Sequence, residues 1–223
     1  MNKIQEIYTI LYKEFKEQGW WPVGNKYHAN YIKPENEKEI FEICLGAILT
    51  QNTSWKNVEK ALENLNKNNL IDLEKLNNID IKKLAETIKS SGYNNQKARK
   101  IKEFVNFLKS GKEINRENLL KIWGIGPETA DSILLYAYKK PFFVIDAYTK
   151  RIFQRIGFKE DKYEEMQDLF MKNLQEDHKI FNEYHALLVK LGKDTCRKEP
   201  LCEKCPLNKI CELVVSPKTN SLL

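Results

Sequence analysis

Four of the five cysteines, Cys196, Cys202, Cys205 and Cys211, crowd into 16 residues with the spacing C-x5-C-x2-C-x5-C. Thiols this close together, in a reducing compartment, are arranged to hold a metal as thiolates rather than to form two disulfides. Zinc accepts four thiolates, but zinc ribbons usually present two C-x2-C knuckles, and here there is one, Cys202-Glu203-Lys204-Cys205. The fifth, Cys44, stands alone in the apolar run Ile43-Cys44-Leu45-Gly46-Ala47-Ile48-Leu49 and reads as a small core residue. His28, His178 and His185 have no ligand spacing and are expected to be structural.

A second chemistry is anion binding by the backbone. In Leu119-Leu120-Lys121-Ile122-Trp123-Gly124-Ile125-Gly126-Pro127-Glu128-Thr129-Ala130-Asp131 an apolar-faced helix ends at Trp123, and Pro127 suits the first turn of the next. The two glycines between them allow a tight turn whose amides face outward, a ready site for a phosphate. The segment is a helix-hairpin-helix of the kind that clamps DNA backbone, or else a plain helical hairpin. Twenty residues beyond Gly126, the apolar run Phe143-Val144-Ile145 delivers Asp146. Asp146 suits the N-cap of a following helix, and capping is compatible with catalysis because a helix N-terminus keeps a carboxylate ionised.

The elements that must carry these groups are helical. Apolar residues recur with helical period, as in Ile40, Phe41, Cys44, Ala47, Ile48 and again in Trp55, Val58, Leu62, Leu65. The nearest approach to a strand, Pro141-Phe142-Phe143-Val144-Ile145, is too short to found a sheet, so an all-α fold is expected. A break is expected near Lys139-Lys140-Pro141. The 223 residues suffice for one or two domains with a sizeable core, and no internal repeat is evident. With 42% apolar and 30% charged residues the chain is neither collagenous nor low-complexity. No apolar run reaches the ~18–20 residues that span a bilayer, and the N-terminus has no signal-peptide pattern, so no membrane association and a cytoplasmic location are expected. The excess of 37 Lys+Arg over 31 Asp+Glu, a net +6, permits a polyanionic partner without demanding one.

Taken together, Gly124-Ile125-Gly126, Pro141, Asp146 and the C-terminal cysteines resemble the endonuclease III superfamily of helix-hairpin-helix DNA glycosylases, over nearly the whole chain. Further matches are Leu49-Thr50-Gln51-Asn52-Thr53, Gly92-Tyr93-Asn94-Asn95-Gln96-Lys97-Ala98 and Tyr184-His185-Ala186-Leu187-Leu188 leading into Leu191-Gly192. The resemblance implies a bilobal all-α fold: a six-helix domain at 32–140, and a second lobe made of 1–31 and 141–223 that holds a cluster loop at 196–211. Double-stranded DNA with a damaged base would lie between the lobes, and the base would be flipped out for attack on its glycosidic bond. Gln51 would plug the gap and Tyr93 would wedge the opposite strand. Gly124, Gly126 and Thr129 would hold the backbone at the hairpin. The four cysteines would hold a [4Fe-4S] cluster, zinc being the alternative, and the cluster would order Arg197, Lys198 and Lys204 against phosphates. Family members usually act as monomers.

Departures from the family pattern define the chemistry. Glycosylases that also cut the strand carry a lysine two residues after the second hairpin glycine, where its amine forms a Schiff base. Here that position is Glu128, so a monofunctional glycosylase is expected, with Asp146 stabilising the transition state or orienting water and Glu128 as the one obvious general acid, the two forming the expected catalytic pair. Lys150, four residues past Asp146, is either an amine that reaches back for lyase chemistry or, as expected, a partner in an ordinary i,i+4 ion pair with Asp146. Trp20, Trp21, Pro22 and Trp55 either fill core or form a slot whose electron-rich rings would favour a cationic base such as an alkylated purine. The combination resembles the 3-methyladenine DNA glycosylase branch, whose best-known member lacks the four cysteines. The competing expectations are an endonuclease III-type glycosylase and lyase acting on oxidised pyrimidines, and a non-catalytic protein that binds DNA structures.

Overall fold

The structure is a computed structural model, and it describes residues 2–28 and 33–215. It consists of α1 (Lys3–Phe15), α2 (Glu37–Leu49), α3 (Trp55–Lys67), α4 (Leu73–Asn78), α5 (Ile81–Thr87), α6 (Asn94–Lys109), α7 (Arg116–Leu120), α8 (Pro127–Ser132), α9 (Ala147–Ile156), α10 (Tyr163–Asn173), α11 (His178–Asp194) and α12 (Glu212–Val215). Among the described residues the one β-type pairing is an isolated bridge between Val23 and Lys26, so the all-α expectation holds. Among them, too, no helix is long and apolar enough to cross a membrane.

The chain divides into two compact units: a terminal unit of Met1–Trp20 and Pro141–Leu223, and a hairpin unit of Trp21–Lys140. The first boundary therefore falls between Trp20 and Trp21 rather than at 31/32. The reason is Trp21, which packs at 5.2 Å from Trp55 and 5.1 Å from Tyr136, both within the hairpin unit. Residues 29–32, around the expected boundary, lie outside the described residues. Among its described residues the hairpin unit holds the seven α-helices α2 to α8. Asp80 caps a new helix directly after α4 by accepting the amides of Lys82 and Lys83.

In the hairpin unit α2 is central. Every residue from Phe41 to Leu49 is buried, which its nearly all-apolar sequence requires. α3 shows the opposite pattern, with Val58, Ala61, Leu62 and Leu65 forming one buried stripe. Beyond α8 the chain continues as a short π-helical stretch, Ile133–Ala137, all of it buried.

The terminal unit is built round an aromatic core. Phe143 stacks on Phe170 at 3.9 Å with the rings 10° apart, and meets Phe181 and Tyr184 edge-on. The Tyr184 hydroxyl, fully buried, donates to the Ile4 carbonyl at 2.9 Å and so fastens α1 to α11. The extended segment before α9 is fixed in this core: Phe143, Val144 and Ile145 are buried, and Gln167 Nε2 donates to the Phe143 carbonyl at 2.7 Å.

Candidate functional site

Asp146 follows that fixed segment and caps α9, its Oδ1 accepting the Thr149 amide at 2.7 Å. The next neighbour lies far along the chain. His185 on α11 brings Nε2 to 3.7 Å from Asp146 Oδ2, and both side chains are largely withdrawn from water. Burial by itself pushes the carboxyl up, but His185 and the Thr149 amide prevail and hold it below the usual aspartate range. His185, expected to be structural, thus lies against the Asp146 carboxylate. Its motif was visible in the sequence, yet only α11 folding against α9 reveals what it faces. His185→Gln is expected to move the acid limb of a pH–rate profile upward toward the ordinary carboxylate range while preserving the plateau above it; an unmoved limb would reduce His185 to packing. Lys150 does not form the expected pair with Asp146, because its Nζ donates to the Asp161 carbonyl at 2.8 Å.

In the hairpin unit the turn between α7 and α8 is shaped by its glycines. Gly124 has φ +81°, and a Cβ there would stand 2.6 Å from the Lys100 side chain that lies beneath it. Gly126 caps α8 with Pro127 in its first turn. The two helices are stapled by Arg116, whose Nε and Nη2 donate to the buried Asp131 at 2.8 and 3.2 Å. Glu128 is exposed in the first turn of α8, and Thr129 is buried behind it.

Three residues expected to face DNA are joined in one network. Gln51 Nε2 donates to the Gly124 carbonyl at 3.1 Å and to Thr129 Oγ1 at 2.9 Å, while Lys100 donates to Gln51 Oε1. Tyr93 stands apart, 66% exposed and with φ +46°, immediately before α6. Lys97, buried in the next turn, donates to the carbonyls of Leu49 and Ser91 at 2.8 and 2.7 Å and so ties the Gln51 loop to the Tyr93 loop. Burial and the charge of Lys100 lower its amine to about 8. Reading the sequence assigned no role to Lys97, because a lysine in an amphipathic helix is usually solvated.

Of the four residues considered for a base slot, Trp21 and Trp55 meet edge to face at 87°. Trp21 is only 7% exposed and covers Gly46 of α2, Pro22 is buried, and Trp20 belongs to the terminal unit. Trp55 Nε1 donates to Glu59 at 2.9 Å.

Cys196, Cys202, Cys205 and Cys211 line one small cavity of the terminal unit with Arg155, Leu201 and Leu213. Among the described residues no three His, Cys, Asp or Glu side chains converge as a single ion requires. The donor set is four thiols with no carboxylate or imidazole among the lining residues, a soft set that fits an iron–sulfur group. Burial, and then the neighbouring cysteines, push the Cys205 thiol up to about 11. Arg155 of α9 anchors the loop, donating to Cys196 Sγ at 3.3 Å and to the carbonyls of Arg197 and Lys198 at 2.6 and 2.9 Å. The side chains of Arg197, Lys198 and Lys204 are exposed.

Residues 45–176 match the HhH-GPD superfamily of base excision DNA repair proteins. A Methanocaldococcus jannaschii protein provisionally named a DNA repair glycosylase is 43% identical, with 93% of this chain and 95% of the relative covered. Endonuclease III of Sulfolobus acidocaldarius is 30% identical over 95% of this chain and 96% of its own. Among solved structures, H. pylori 3-methyladenine DNA glycosylase bound to 1,N6-ethenoadenine superposes with a TM-score of 0.70 at 29% identity, covering 86% of this chain and 98% of that one. The match over 45–176 and the relatives at 43% and 30% identity place the chain in the HhH-GPD superfamily, as an endonuclease III-like DNA N-glycosylase of base excision repair.

Proposed function

We propose that the chain is a monofunctional glycosylase that releases alkylated purines of the 3-methyladenine type from double-stranded DNA and leaves an abasic site. The observation that carries this reading is Asp146, a largely buried carboxylate that caps α9 through one oxygen and has His185 Nε2 3.7 Å from the other. As the C1′–N9 bond breaks, its electron pair leaves with the base and the sugar carbon becomes positive. A carboxylate stabilises that charge and orients the water whose oxygen bonds to C1′ as its O–H bond breaks, the proton passing by way of the carboxylate to solvent. An alkylated purine is already cationic, so it leaves as a neutral base without a proton from the protein. Glu128, exposed where a lyase requires an amine, supports hydrolysis without strand cleavage.

Substrate choice is assigned to the half-buried ring of Trp55, backed edge to face by the buried Trp21, with Trp20 and Pro22 flanking Trp21 in the chain. The likeness to the 3-methyladenine DNA glycosylase supports it. Gln51 and Tyr93 serve as plug and wedge, and Gly124, Gly126, Arg197, Lys198 and Lys204 contact the backbone, while the buried Thr129, expected to do so, instead accepts from Gln51. Cys196, Cys202, Cys205 and Cys211 hold a [4Fe-4S] cluster whose contribution is to order the basic loop. The enzyme acts as a cytoplasmic monomer.

The experiment is incubation with DNA carrying methylated purines, chromatography of released bases and a parallel nicking assay without alkali, on protein analysed for iron, sulfide and zinc. Release of 3-methyladenine without nicking, from protein with equal iron and sulfide, is the expected result. Nicking, or a borohydride-trapped adduct, would overturn the monofunctional assignment in favour of endonuclease III-type chemistry. Zinc alone would overturn the cluster.

A further inference from the structure

The geometry points to an additional DNA contact: Arg99, held over the exposed indole of Trp123, binds a backbone phosphate beside the hairpin. Trp123 immediately precedes Gly124. Its neighbours Ile122 and Ile125 are 8% and 5% exposed, as hairpin packing requires, yet Trp123 is 44% exposed, so the core does not account for a large ring at this position. The Arg99 guanidinium carbon lies 4.0 Å from the centre of that ring. A cation–π contact uses none of the guanidinium's N–H donors as hydrogen bonds, so its fork remains for an acceptor such as a phosphate.

The competing carboxylate is weak. Glu103 Oε1 stands 3.9 Å from Arg99 Nε, too far for a hydrogen bond, and the pair is solvent-exposed. Two other cations nearby are engaged, Lys100 with Gln51 and Lys121 with Glu117 at 2.6 Å. A flipped or unpaired base is a poorer occupant than a phosphate, because Arg99 already covers one face of the indole. The indole's role is to restrict the arginine before DNA arrives, so that less side-chain freedom is lost on binding.

The contact presupposes that the hairpin grips DNA, and the test separates the two claims. Affinity of the intact protein for an undamaged duplex is measured by fluorescence anisotropy over a salt series. Arg99→Gln is expected to weaken binding severalfold and to reduce the log–log salt slope by about 0.9, the release of counterions from one phosphate. Trp123→Ala, which frees the arginine but keeps its charge, should weaken binding with most of the slope kept, and Trp123→Phe should restore most of the affinity. A slope for Arg99→Gln equal to that of the parent overturns the contact, and a parent-like Trp123→Ala overturns the role of the stack. Gly126→Asp keeps a good N-cap at a position with open space around it, but adds a negative charge to the hairpin. If it weakens binding while Arg99→Gln does not, only the arginine contact fails; if neither does, the hairpin reading fails with it.

Discussion

Asp146→Asn is expected to slow base release by about 100- to 1000-fold, the effect of removing one preorganised electrostatic group, while affinity for lesion DNA is unchanged or tighter. Asparagine is the informative substitution because it caps a helix as well as aspartate does, so the Thr149 amide keeps an acceptor and α9 keeps its start. Loss of the charge in the variant also removes repulsion of phosphate, which is why binding should not suffer. The check is single-turnover kinetics with enzyme in excess, alongside a binding titration. Retained turnover would sink the catalytic assignment and leave a protein that binds DNA structures without processing them.

The same substitution has a signature in stability. The folded carboxyl lies below the ordinary aspartate value of about 3.9. Its contribution is therefore fully present above that value and is lost as pH falls through the lower folded one. In Asp146→Asn this part of the acid dependence should vanish, with stability near neutrality reduced.

Phe143→Ala is expected to destabilise the terminal unit by about 3–5 kcal/mol, as truncation of a fully buried phenylalanine does. The ring is 0% exposed and touches Phe170, Phe181 and Tyr184, so little can collapse into the space. Against a typical total of about 5–15 kcal/mol, this is a large fraction. The loss falls on the segment that leads into Asp146, since the Phe143 carbonyl is also the acceptor for Gln167. Denaturant unfolding followed by circular dichroism would measure it; a shift in midpoint with unchanged slope is the expected form. A change below about 1 kcal/mol would mean that the aromatic stack does not hold this segment.

What the sequence determined by itself is what depends on neighbours within a few residues. The helical period, the Gly-Ile-Gly turn with Pro127 behind it, the capping position of Asp146 and the clustering of four cysteines all follow from local geometry, because helix hydrogen bonds and turns span only three or four residues. The family resemblance rested on the same local motifs. The tertiary structure decided what depends on which faces meet. It set His185 beside Asp146, placed Lys97 under two loops, clipped α7 to α8 through Arg116 and Asp131, and turned the Gln51 side chain onto Gly124 and Thr129. It also assigned Trp21 to the hairpin unit, where the ring covers Gly46, while Trp20 beside it belongs to the other unit. A charged or aromatic residue in an amphipathic helix has the same local preferences whether it ends in water or against a buried acceptor. The outcome is fixed by desolvation and packing against residues remote in the chain, and those partners exist only once the helices have come together.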